Sequence, residues 1–305
     1  MTRMLIVFIG LLLLGCERSP TPEPARPAAS DTPAGQMAEP ASGDASAQLA
    51  AVLEAQADEV RARYAHRHPQ ETLEFFGIEP GMTVVEALPG AGWYSRVLVP
   101  YLGPDGRLIG ANYPQPMWPK FGFFDQPFID SMTTWTTDWP AEARQWHDEE
   151  GASIDAFEFG SMPGELKGQA DAVLLIRALH NLARFEGDGG FLTAALGDVY
   201  DVLKPNGIVG VVQHEARPDM PDAWADGSRG YLKKQFVIDR MTEAGFEFVA
   251  ESAVNENPND RPTEEERVWR LPPSYMTSGE DPEKRAAMDE VGESNRMTLK
   301  FRKPL

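Results

Sequence analysis

The chain has 305 residues, 42% of them hydrophobic, enough to bury one full-sized core with insertions. Acidic residues number 47 against 28 basic ones, a formal net charge of −19, and so acidic a surface repels phosphate backbones and excludes nucleic acid as the expected partner. The single cysteine, Cys16, rules out an internal disulfide and a cysteine zinc site.

Arg3 precedes an apolar run from Met4 to Leu14. That run is too short to span a bilayer comfortably and reads as the core of a signal peptide over residues 1–15. Leu13-Leu14-Gly15-Cys16 then resembles a bacterial lipobox. The resemblance implies cleavage before Cys16 and acylation of its thiol and amine; several acyl chains at about 0.8 kcal/mol per buried CH₂ anchor a protein stably. Glu17 after the cysteine resembles lipoproteins sorted to the outer membrane, so the expectation is an envelope protein, lipid-anchored and facing the periplasm. Residues 16–47 have almost nothing apolar to bury and read as a flexible tether to a domain over 48–305.

Leu49, Val52, Leu53, Ala57, Val60 and Tyr64 follow a helical period and predict one helix packed on that domain. Pro69 opens a short helix to Phe76, with Gly77 beyond its end. Thr83 to Val85 begin a strand that ends at Glu86, crosses Leu88-Pro89-Gly90-Ala91-Gly92 and enters a helix carrying Trp93, Val97, Leu98 and Tyr101. Strand, glycine turn, helix presents a helix N-terminus to a ligand at the carboxyl edge of a parallel sheet. Gly90 and Gly92 permit φ > 0 and close approach, and Glu86 can accept hydrogen bonds from ligand hydroxyls or an ammonium group.

A second strand runs from Arg107 to Ala111, with Asn112 at its exit. Residues 113–150 crowd Trp118, Phe121, Phe123, Phe124, Phe128, Trp135, Trp139 and Trp146 together, as an insertion packing its own aromatics or a lid over a ligand. Further strands follow at Ser153 to Phe159, Asp171 to Ile176, Ile208 to Val212, Phe246 to Ala253 and Met297 to Phe301. Helices are expected at Leu192 to Leu203 and Tyr231 to Ala244. The polar excursion 255–296 is either a second cover over the site or a partly disordered loop.

An acid closing the first strand just before the glycine turn resembles motif I of class I S-adenosylmethionine (SAM) dependent methyltransferases, Glu/Asp-x-Gly-x-Gly-x-Gly. Aligned on Glu86, Gly90 and Gly92 supply the second and third glycines, and Leu88 stands where the first belongs. Arg67-His68-Pro69, Phe75-Phe76-Gly77-Ile78, Pro80-Gly81-Met82 and the Pro-Gly-Ala-Gly-Trp-Tyr turn look like a group of bacterial predicted methyltransferases. Leu-Lys-Pro-Asn-Gly before an apolar strand resembles the approach to strand five in the same enzymes. The resemblance implies a Rossmann-like α/β fold, a mostly parallel seven-stranded sheet with helices on both faces. It also implies SAM as cofactor, held by Glu86, Leu88, Gly90, Gly92 and Asn112, with Phe159-Gly160 meeting the adenine. Asn112 occupies the place where the family usually has an acid for the ribose.

His180 follows the fourth strand and His214 ends the fifth, neighbours in that topology. With Tyr94 they form the expected reacting side, a histidine taking a proton from the acceptor as its methyl bond forms. The rival uses are backbone capping, or a His180, His214, Glu215 metal set. Methyl transfer to a small molecule is therefore the leading expectation. The alternatives are a non-catalytic module binding another small ligand or an envelope partner, and nucleotide-dependent redox chemistry.

Overall fold

The computed structural model describes residues 43–146 and 151–305. The signal segment 1–15, Cys16 and the tether up to residue 42 lie outside the described residues. The stretch read as tether extends to residue 47, but a helix Gly43–Glu54 already begins within it.

Seven strands form one sheet in the order β3-β2-β1-β4-β5-β7-β6. They are β1 Thr83–Ala87, β2 Arg107–Asn112, β3 Ser153–Glu158, β4 Ala170–Ile176, β5 Leu203–His214, β6 Glu247–Ser252 and β7 Arg296–Arg302. All neighbours pair in parallel except β7, which runs antiparallel to both β5 and β6. That order, with its reversed penultimate position, is the class I methyltransferase fold that the motif implied.

The alternation of side chains along each strand divides the core in two. Val85, Ile109, Val173 and Val211 face the helices Phe191–Val202 and Lys234–Glu243. Val84, Leu108, Ile154 and Leu174 face the helices Gly43–Glu54, Pro69–Phe76 and Ser95–Leu102. Each such side chain, fully buried, contributes about 1.5–3 kcal/mol.

The expected single helix before Pro69 is instead three short ones, Gly43–Glu54, Asp58–Arg61 and Tyr64–Arg67. Ala57 is extended (ψ 153°) and interrupts the first run. His68, held off the right-handed helical region by Pro69, turns left-handed (φ 40°) and ends the last. Periodicity saw the buried face and not these breaks.

The described residues of both insertions pack against the domain. The aromatic one is a chain of short helices, among them Gln126–Ser131 and Trp135–Ala143. Trp139 seats on β2 because Gly110 has no Cβ; one there would lie 2.5 Å from the indole. The C-terminal excursion is pinned by a buried network: Arg270 Nη2 pairs with Asp260 Oδ1 at 2.7 Å, and Tyr231 OH donates to Asp260 Oδ2 at 2.9 Å.

Candidate functional site

The parallel register brings the carboxyl ends of β1, β2, β4 and β5 to one edge of the sheet. Two of these strands leave it through a left-handed non-glycine residue, Leu88 (φ 54°) after β1 and Arg177 (φ 57°) after β4. Each remains tied to the adjacent strand: Leu88 N donates to Ala111 O at 2.7 Å and Arg177 N to Val212 O at 2.6 Å. Such backbone costs on the order of 1–3 kcal/mol in a non-glycine residue and concentrates where side chains must be aimed. Leu88 thus takes the conformation for which a glycine is the cheaper occupant of its motif position.

Two cavities open on this edge and share Leu88, Arg177 and His180. The larger, about 570 Å³, reaches from Leu88 and Gly90 over Asn112 to Asn181. Its outer wall is the aromatic insertion, with Trp118, Phe128, Trp135 and Trp139 beside the carboxylates of Asp138 and Glu142. The insertion therefore packs its own aromatics and covers the cavity as well. Trp118 Nε1 and Trp139 Nε1 are buried and find no hydrogen-bond partner among the described residues. The smaller cavity, about 210 Å³, lies over β4 and β5, lined by Arg177, His180, His214, Glu293 and Ser294 with Trp269 and Ser274 of the C-terminal excursion. That excursion is a second cover.

Of the residues read from sequence, Leu88, Gly90, Asn112, His180 and His214 come together here. Asn112 spends its Oδ1 on the backbone N–H of Tyr113, at 2.9 Å. Glu86 lies elsewhere: 4% exposed, it accepts a hydrogen bond from Ser95 Oγ at 2.6 Å, and burial pushes its carboxyl up to about 7. A Cβ on Gly92 would meet the Trp146 ring at 2.1 Å, so this glycine admits an indole. Tyr94 is buried beneath the turn and donates to Arg67 O at 3.4 Å. Phe159 is packed in the core against Phe157, and Gly160 N donates to Asp198 Oδ2. None of these five lines either cavity.

His180 and His214 have ring centroids 5.5 Å apart. Burial holds His180 down at about 4 and His214 well below the usual histidine range, so neither titrates near neutrality as expected and both imidazoles are neutral at pH 7. His214 Nδ1 is 2.5 Å from Ser294 Oγ. Glu215 turns away toward Lys234, 3.8 Å off. Among the described residues no group of three or more His, Cys, Asp or Glu is placed to hold a metal ion.

Arg177, Asp138, Glu142 and Trp269 were missed in the sequence. Arg177 left a signal: a lone arginine directly after the apolar strand β4, at the ligand-binding edge. The two carboxylates left none, because a helix in an insertion reveals its facing only once docked.

No protein-family model matches the chain, and no curated protein does. Solved structures do resemble it. A putative methyltransferase from Bacillus halodurans C-125 is 14% identical, covering 78% of this chain and 100% of its own, with a TM-score of 0.47. Geranyl diphosphate C-methyltransferase from Streptomyces coelicolor A3(2), solved with Mg²⁺, geranyl diphosphate and S-adenosyl-L-homocysteine, is 12% identical over 83% of this chain and 87% of its own (TM-score 0.49). The [4+2]-cyclase SpnF is 16% identical over 85% and 93% (TM-score 0.48). The likeness is one of fold.

Proposed function

We propose that this chain binds SAM in the larger cavity and transfers its methyl group to a small molecule held over β4 and β5. The observation that carries this is the cavity itself, running from the glycine turn after β1 across the end of β2 to the histidines, under an aromatic wall. The residues present fit the cofactor. A cavity of 570 Å³ is within the range that buries a ligand of this size. Flat indole and phenyl faces suit an adenine. Asp138 and Glu142 place negative charge in a cavity meant for a sulfonium and an ammonium group. Gly90, Leu88 and Asn112 would hold the cofactor; Glu86 would support the turn through Ser95 rather than touch the ligand.

SAM, when bound, supplies an electrophilic methyl: the carbon–sulfur bond breaks with its electron pair left on sulfur as the acceptor–carbon bond forms. The chain's part is alignment, since holding the reacting atoms in line accounts for most of what such a site can add. A proton lost by the acceptor passes to water or to a neutral imidazole. His180, with a pKa of about 4, holds a proton poorly and serves better to accept a hydrogen bond that orients the acceptor.

A second reading, ligand binding without transfer, draws support from Glu86 being turned into the core and from Asn112 replacing an acid. The two separate in one experiment on the purified full chain: calorimetric titration with SAM and S-adenosylhomocysteine, then assay of S-adenosylhomocysteine formed with candidate acceptors. Binding that is weakened at least tenfold in Asp138→Asn/Glu142→Gln supports the cofactor site. Absence of any adenosyl binding leaves the second reading. The envelope location belongs to the proposal too: labelled palmitate should enter the native chain and not Cys16→Ser, and equal labelling would remove the anchor.

A further inference from the structure

We infer that the smaller cavity is an oxyanion site built on Arg177, and that the acceptor molecule carries a carboxylate or phosphate group seated there. Calling the ligand the acceptor rests on the transfer reading; the anion site does not.

Charge around the smaller cavity is out of balance. Among the described residues Glu293 is the only carboxylate lining the smaller cavity, and three arginines already share it: Arg63, Arg67 through Nε at 3.1 Å, and Arg296 through Nη1 at 3.3 Å. Arg177 is a fourth guanidinium beside the same cluster: the Glu293 carboxylate favours its charge from a distance, but its side chain makes no hydrogen bond or ion pair among the described residues. Arg177 is only partly buried and its side chain borders the cavity; a cation that has given up much of its hydration ordinarily has a partner. The strained backbone that carries it (φ 57°) argues that its placement is held against a cost. Around it lie neutral hydrogen-bonding groups, His180, His214, Ser274 and Ser294, and one flat face, Trp269. His180 and Trp269 have ring centroids 5.8 Å apart. A planar guanidinium fork with hydroxyl and imidazole neighbours is the arrangement that receives carboxylate or phosphate oxygens in pairs. At about 210 Å³ the cavity holds a small body and not a chain. Because Arg177 and His180 also border the larger cavity, a molecule anchored by its anion would present its far end toward the methyl group.

The test uses three probes with one phenyl body, benzoate, phenyl phosphate and neutral benzamide, titrated calorimetrically into the full chain. Benzoate or phenyl phosphate should bind at least tenfold tighter than benzamide, and the better of the two identifies the oxyanion. Arg177→Met should weaken that anion about ten- to hundredfold, the size of a lost charge-assisted pair, and leave benzamide unchanged. Arg177→Lys should fall between, keeping the charge without the fork. The comparison with benzamide needs only the native chain, so a variant that misfolds does not rescue the idea. Saturation with S-adenosylhomocysteine should leave anion affinity unchanged. Competition would mean that Arg177 serves the cofactor's own carboxylate, and it overturns the inference, as does equal binding of all three probes. Adenosyl binding with no anion preference would sink this site and spare methyl transfer; anion binding without adenosyl binding would do the reverse.

Discussion

Glu86 illustrates how one residue's role turns on burial. From the sequence it is a carboxylate at a strand exit beside a glycine turn, ready for a ligand. In the fold it is enclosed, with Ser95 as its hydrogen-bond donor and its pKa raised from near 4.5 to about 7. A raised folded-state value means that the folded chain holds this proton more tightly than the unfolded one, so stability attributable to Glu86 is full below pH 4.5 and lost as pH rises to 7. At 1.36 kcal/mol per unit the loss is about 3 kcal/mol. His180 and His214, depressed by burial, act in the opposite sense and destabilise as pH falls below 6.5. Glu86→Gln should therefore be judged by difference: denaturation from pH 4.5 to 8 should show its stability rising relative to the native chain by about 3 kcal/mol. A gap independent of pH would contradict the burial argument. Leu88 is the complementary case. It breaks the motif in letters yet keeps the left-handed backbone, at the cost that any side chain bears there.

At the scale of elements, the two insertions decide the site. Aromatic density made the first legible as something that packs, but which faces meet the cavity depended on Trp139 reaching Gly110 and Trp146 reaching Gly92. The second read as polar and proline-rich, hence as a cover or a loose loop. What orders it is the Asp260–Arg270–Tyr231 network, in which two residues of the excursion meet Tyr231 from outside it. Asp260→Asn leaves the Arg270 guanidinium buried without its full countercharge, and breaking such a pair costs about 3–5 kcal/mol. Chemical denaturation should show a loss of that order, and proteolysis should find new cleavage within 255–296. A loss below 1 kcal/mol would mean that the excursion is held by its apolar contacts instead.

For the whole molecule, the α/β architecture concentrates chemistry on one edge of one sheet, so a ligand there binds the folded state alone. At a hundredfold above its dissociation constant SAM should add about 2.7 kcal/mol of stability. For a chain of this size that is a rise in melting temperature of roughly 4–5 °C. NAD(P) added in the same way should give no shift; a shift with NAD(P) and none with SAM would return the redox alternative. The sequence by itself determined the strands, their order along the chain and the carboxyl-edge location of Gly90, Asn112, His180 and His214, because local periodicity and turn chemistry act over a few residues. Only the tertiary structure decided that Glu86 and Tyr94 face inward, that Arg177 stands between two cavities with no side-chain hydrogen bond or ion pair among the described residues, and that carboxylates from an insertion complete the larger one. Those outcomes depend on which distant surfaces meet and on how much water is left between them, and neither is written in any short stretch of chain.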